Sequence, residues 1–131
     1  NSPYSAVIPI FINRILKKMP VVINGGFQTR DFVYVEDVVD VMLMSMKKIQ
    51  KQKTFQVFNF GSGRSVTINF LFKLIKKALG VNPKIIRRKL DKFDPKKSFG
   101  TYNKIHKYLN LKKYNCTKLE NGLIKTIDSM K

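Results

Sequence analysis

Arg30 and Asp31 stand side by side four residues after the Gly25-Gly26 pair, at the mouth of the apolar run Phe32-Val33-Tyr34-Val35. A guanidinium is charged at any physiological pH and offers two parallel N–H donors, so an arginine set by a turn suits a phosphate or carboxylate. The plainer alternative is a solvated Arg30–Asp31 or Arg30–Glu36 pair, worth at most about 1 kcal/mol. Phe58-Asn59-Phe60-Gly61-Ser62-Gly63 resembles half of a dinucleotide-binding fingerprint, but Val66 stands where the third glycine belongs and no acid follows about 20 residues on. It reads as a strand-to-helix turn. Tyr108-x-x-x-Lys112 and Tyr114-x-x-x-Lys118 have the spacing in which a lysine assists a tyrosine in proton transfer. Five tyrosines among 21 lysines make such matches expected by chance, and Tyr108 falls at a helix end and Tyr114 in a loop, so neither is assigned a catalytic role. His106 reads as a solvated surface residue and Cys116 as small core filler, since neither belongs to a nucleophilic or metal-ligating constellation.

These residues must be positioned by a mixed set of elements. Ile8, Phe11, Ile12, Ile15, Leu16 and Met19 fall on one helical face and predict a helix over Pro9–Lys18. Val21–Ile23 predicts a short strand ended by Asn24-Gly25-Gly26, and Asp31–Tyr34 a second. Val35, Val38, Val39, Met42, Leu43 and Met46 restore the helical period as a core-facing stripe, with Glu36 and Asp37 in a first turn whose dipole favours carboxylates. Phe55–Phe60 reads as a strand, Gly61–Ser65 as a loop, Thr67 as the cap of a helix ending at Gly80, and Lys84–Arg87 as a strand. Asn103 is expected to cap a short helix ending near Asn110, and Thr117-x-x-Glu120 to form a capping box for a last helix through Met130. The class is α/β or α+β with short strands and four or so helices.

The chain has 131 residues, 44% of them hydrophobic, enough for a real core in one domain. A net charge of +18 raises the possibility of a cationic nucleic-acid-binding module. Against it, the charge comes from 21 lysines spread over every segment and only five arginines, with no aromatic-plus-basic signature of a known module, so no sequence-specific nucleic acid is expected. A single cysteine excludes an internal disulfide and favours a reducing, cytoplasmic compartment. No apolar run is long enough for a membrane span, and no signal-like pattern opens the chain. A start at Asn1 rather than Met suggests part of a longer protein.

Ser2–Ile12, Gln28–Val38 and Phe58–Val66 resemble, in order and spacing, the C-terminal part of the NAD-dependent nucleotide-sugar epimerases and dehydratases, the extended short-chain dehydrogenase/reductases, with UDP-glucose 4-epimerase-like members closest. Asp94-Pro95-Lys96-Lys97-Ser98-Phe99 and Glu120–Leu123 also fit the family's tail. The resemblance implies that residues 1–131 are a substrate-binding region whose NAD-binding Rossmann domain, with its glycine-rich loop and catalytic Tyr-x-x-x-Lys, lies upstream. It further implies UDP-sugar as ligand, a homodimer when complete, and no catalysis or NAD binding by this chain alone. In the complete enzyme NAD takes a hydride from the sugar ring and returns it to the opposite face. By the same resemblance Arg30 reaches the diphosphate, Val7 and Ile8 line the nucleoside pocket, and Asn24 and Gln28 form its polar edge. Two departures stand out. The family turn Gly-Asp-Gly-Glu is here Asn24-Gly25-Gly26-Phe27, and the second phosphate-binding arginine, expected three residues before Asp94, is replaced by Asp91, leaving Arg88 to serve through a longer loop. Sibling chemistries of the family, dehydratase or decarboxylase, remain alternatives.

Overall fold

The computed structural model describes residues 6–49, 55–100, 102–111 and 114–131. Helix α1 (Val7–Leu16) begins two residues before the expected Pro9 and ends at Leu16 rather than Lys18. Pro9 falls in its first turn, where a missing N–H breaks no helical bond. Strand β1 (Val21–Asn24) follows, then β2 (Thr29–Asp31), helix α2 (Val35–Ile49), β3 (Ser65–Thr67), α3 (Ile68–Leu79), β4 (Ile85–Arg88), α4 (Asn103–Leu109) and α5 (Leu119–Asp128). The described residues thus hold five helices and four short strands, an α/β arrangement.

The strands form two separate pairs. β1 runs parallel to β4, with Val21 opposite Ile85 and Asn24 opposite Arg88. β2 runs antiparallel to β3, with Arg30 opposite Val66. The second strand therefore lies two residues upstream of the expected Asp31–Tyr34, because its ladder is set by Ser65–Thr67. Phe32 instead packs against the main core. On the other side of β2, the amide of Thr29 donates to the Lys96 carbonyl at 3.0 Å and the amide of Ser98 to the Thr29 carbonyl at 3.1 Å, so residues 94–98 lie along β2 as a strap.

Phe11, Ile12 and Ile15 of α1, Val21 and Ile23 of β1, four apolar residues of α3 and Leu123 and Ile127 of α5 make the main core. A smaller cluster of Val41, Ile105 and Leu111 is flanked by Phe58, Phe60 and Tyr114. Helix α3 has the ends its sequence implied: Thr67 accepts from the Phe70 amide at 3.1 Å, and Gly80 closes it in the left-handed conformation at φ 66°. Thr67→Ala is expected to lower stability by about 1 kcal/mol through the lost cap, with Thr67→Ser close to wild type, as urea unfolding would measure.

Four expectations fail. The apolar stripe of α2 is not core here: only Asp37 and Val41 of that helix are buried. Phe55–Phe60 joins no ladder among the described residues, and a strand requires a neighbouring edge. The proposed capping box does not form. Helix α5 has Lys118 at its N-cap without a side-chain bond, because Thr117 donates both its amide and its hydroxyl to Asp37. Asn103 is likewise the first helical residue of α4 rather than its cap, and Asn110 ends that helix at φ 56°.

Candidate functional site

The turn between β1 and β2 is held by Gln28. Its Oε1 accepts from the Gly26 amide at 2.6 Å and its Nε2 donates to the Asn24 carbonyl at 2.7 Å, and the residue is buried. Gly26 has φ 113°, and a Cβ there would overlap the Asn69 amide, so this position requires glycine. Gln28 therefore shapes the turn from inside. Arg88 stands opposite Asn24 at the end of β4, and its carbonyl accepts from the Gly25 amide at 2.9 Å. Asn24, Gln28 and Arg88 are thus brought together around one loop. Beside it lies a cleft of about 320 Å³ lined by Gly25, Phe27, Thr29, Leu90, Lys96 and Lys97.

Arg30 projects from β2 towards the strap. Its Nη1 donates to the carbonyls of Thr29 and Pro95, each at 2.8 Å, and its Nη2 pairs with Asp94. Neither pair anticipated from the sequence forms: Asp31 and Glu36 are both engaged elsewhere. The guanidinium is fixed by two carbonyls and one carboxylate in a partly buried place, with the Nε–H and one Nη2–H outside these bonds. Such an arginine can present its remaining donors to an anion without first losing side-chain freedom. Asp94 is the residue that sequence reasoning missed as its partner, because 64 positions separate the two.

Asp31 has a different task. Its carboxylate accepts from the amides of Ser62 and Gly63, both at 3.1 Å, and from the Ser62 hydroxyl. The Gly61-Ser62-Gly63 loop therefore already holds an internal anion where a bound phosphate would need donors. The described loop does not fit a dinucleotide.

Val7 and Ile8 lie in the first turn of α1, half-buried against the main core. Ile8 borders a small cavity of about 50 Å³ with Phe32, Val33, Tyr34 and α5, which shares no lining residue with the cleft by Lys96. The structure does not bring Val7 and Ile8 into that cleft, and Ser2–Ser5, preceding them in the motif, fall outside the described residues.

The remaining chemical candidates take structural places. The Tyr114 hydroxyl donates to Asp37 at 3.1 Å, and burial with the Asp37 charge raises its pKa well above that of an ordinary phenol. A catalytic tyrosine needs the opposite shift. Lys112, of the other tyrosine-lysine spacing, is outside the described residues. His106 is half-buried rather than solvated, its ring packed against that of Tyr102 at 4.5 Å and tilted by 48°. Among the described residues no group of three His, Cys, Asp or Glu could hold a metal ion, and no helix is long and apolar enough to cross a membrane.

Cys116 is half-buried and borders a cavity of about 190 Å³ with Arg64 and Thr117. Burial, then the charges of Asp37 and Asp31, raise its thiol pKa. Its alkylation by iodoacetamide should accordingly be slow at pH 8, rising with a midpoint above the roughly 8.5 of a free thiol. A midpoint at or below that value contradicts the environment described.

A model of the NAD dependent epimerase/dehydratase family matches residues 1–61, which include α1, the Gln28 turn and Arg30. The fold superposes with a TM-score of 0.84 on the UDP-glucose 4-epimerase of Thermotoga maritima, solved with UDP-glucose, at 35% identity over 98% of this chain and 41% of that one. The chain belongs to the NAD-dependent epimerase/dehydratase family. A second epimerase/dehydratase structure, the UDP-N-acetylglucosamine 4-epimerase of Methanobrevibacter ruminantium in complex with UDP-N-acetylmuramic acid, also gives a TM-score of 0.84, at 32% identity over 99% of this chain and 40% of that one. The dTDP-4-dehydro-6-deoxyglucose reductase of Escherichia coli is 38% identical over 79 residues, 56% of this chain and 24% of its own length. The chain therefore spans about a quarter to two fifths of the length of these epimerase/dehydratase relatives.

Proposed function

We propose that residues 1–131 form the substrate-binding C-terminal region of a nucleotide-sugar epimerase of UDP-glucose 4-epimerase-like type, acting in the cytoplasm on carbohydrate precursors. The observation that carries this reading is Arg30: a guanidinium held at two carbonyls and one carboxylate, with donors to spare, within the stretch that the family model matches. In this reading Arg30 grips the diphosphate of a UDP-sugar, and Asn24 and Arg88 offer polar contacts from the neighbouring loop. Lys96 and Lys97, on the rim of the adjacent cleft, add positive potential. Val7 and Ile8 supply apolar surface to the nucleoside. Gln28 acts through the shape of the turn, since its amide is spent on Asn24 and Gly26.

NAD chemistry belongs to the complete enzyme and to residues beyond these, because Asp31 fills the loop that would otherwise resemble a dinucleotide cradle. The chain alone is not proposed to catalyse, and the complete enzyme is proposed to be a homodimer. The similarity to a dTDP-sugar reductase favours one second reading, a sibling chemistry acting on the same diphosphate group. Calorimetric titration with UDP-glucose, UDP and dTDP tests both: UDP-selective binding supports the epimerase-like reading, equal dTDP binding supports the sibling, and binding that survives loss of Arg30 overturns the site.

A further inference from the structure

Helix α3 buries Ile68, Leu71, Phe72 and Ile75 in the main core and leaves a second, mixed face open. On that face Phe70, Lys73, Leu74 and Lys77 follow one another at three- and four-residue spacing. Gly80 ends the helix at φ 66°, and Lys76 Nζ donates to Asn82 Oδ1 at 2.6 Å across the turn that follows. Helix and turn together form an open depression of about 750 Å³, lined by the apolar Phe70, Leu74 and Val81 and by the ammonium-bearing Lys73, Lys76 and Lys77. Phe70 and Val81 are each 44% exposed. This surface shares no lining residue with the cleft by Lys96.

None of the three lysines is ion-paired. The ion pairs among the described residues are Arg30–Asp94, Lys125–Glu36 and Lys131–Asp128, and residues 41–90 contain no aspartate or glutamate. Glu120 lines the neighbouring cavity that Phe70 also borders, and not this depression. A folded protein partner is a poor match, because interface cores are depleted in lysine, whose long chain loses freedom and whose ammonium loses water on burial. A nucleic-acid backbone answers the charge but leaves the apolar residues bare. An anionic bilayer answers both: the ammonium groups stay hydrated among lipid phosphates while Phe70, Leu74 and Val81 meet the acyl boundary. We infer that the open face of α3 and the turn after it rest on the surface of an anionic membrane, as a reversible peripheral contact. The inference is independent of the nucleotide-sugar reading above.

The test floats the 131-residue chain with vesicles of phosphatidylcholine alone and with vesicles in which about a quarter of the lipid is phosphatidylglycerol. Binding is expected to the anionic vesicles only, and to weaken as salt rises. Lys73→Gln combined with Lys77→Gln should keep the thermal midpoint and weaken that binding by about 30-fold, roughly fivefold for each charge. The matched pair Lys47→Gln, Lys107→Gln removes the same charge from exposed positions on α2 and α4, the helices of the smaller core cluster, and should change binding by less than about threefold. Val81→Ser, at an exposed position, should weaken binding by about threefold or more through lost apolar contact alone. Four outcomes overturn the proposal: no binding to anionic vesicles, equal loss in the two lysine pairs, a Val81→Ser variant that binds as the wild type does, or a chain that ignores vesicles and instead binds polyglutamate or duplex DNA through Lys73 and Lys77.

Discussion

Replacing Arg30 with alanine is expected to weaken UDP-sugar binding by about 2–4 kcal/mol, because it removes a charge-assisted, potentially bidentate contact from a partly desolvated diphosphate. Arg30→Lys should restore only part of the loss, since an ammonium keeps the charge but not the planar fork. The structure adds a condition. Arg30 also ties the strap to β2 through the Pro95 carbonyl and Asp94, so stability falls as well, but by no more than about 1 kcal/mol for a partly exposed pair. Asp94→Asn separates the two effects: the carbonyl contacts of Arg30 remain while a negative charge beside the anion is lost. Calorimetry and a thermal midpoint on the same three variants decide. Unchanged affinity in Arg30→Ala and Arg30→Lys together refutes the assignment.

Asp37→Ala is the substitution expected to damage the fold most. Asp37 is buried in the first turn of α2 and accepts from the Thr117 amide at 2.9 Å, the Thr117 hydroxyl at 3.0 Å and the Tyr114 hydroxyl at 3.1 Å. Hydrogen bonds to a charged acceptor contribute more than neutral ones, and truncation strands their donors, so a loss of about 3 kcal/mol is expected. For a chain of this size that is a drop of roughly 10 °C in thermal midpoint. Asp37→Asn, which keeps one acceptor oxygen, should lie between. The same contact sets a pH dependence. Tyr114 has a raised pKa in the folded state, so it keeps its proton where the unfolded chain has lost its own. Its contribution is fully present below the unfolded value near 10 and fades as pH rises above it. In Asp37→Ala that alkaline sensitivity should weaken, and absorbance at about 295 nm should show Tyr114 ionising at lower pH.

Much of the secondary structure was legible because local chemistry decided it. Thr67 and Gly80 mark the ends of α3 wherever that helix packs, and Gly25-Gly26 end β1 because both have positive φ, which at Gly26, φ 113°, calls for glycine. Elsewhere a distant partner outweighed the local signal. Thr117 had the pattern of a capping box but gives its hydroxyl to Asp37, 80 residues away. The register of β2 was fixed by Ser65–Thr67, which no periodicity within residues 29–34 reports. Of the candidate site, the Arg-Asp-Phe stretch was readable as a motif, whereas the Asp94 partner and the Lys96–Lys97 rim exist only after the strap lies on β2. The capture of Gln28 by its own turn was equally invisible, since a glutamine beside a glycine pair suits a ligand as well as a loop.

The carboxylates show how unevenly this sequence tolerates change. Asp31 pins the Gly-Ser-Gly loop, Asp37 joins α2 to the segment before α5, and Asp94 joins the strap to Arg30. The chain has only eight acidic residues against 26 basic ones, and these three each fasten segments at least 31 positions apart. Most exchanges among the many exposed lysines change little beyond a diffuse field, whereas loss of one of these aspartates undoes a joint. A library of single substitutions should therefore divide by charge sign, permissive at most cations, strict at Asp31 and Asp37 and milder at Asp94, whose pair with Arg30 is partly exposed, so that further drift towards basic composition can proceed by gaining lysines but not by giving up the two aspartates that hold buried joints.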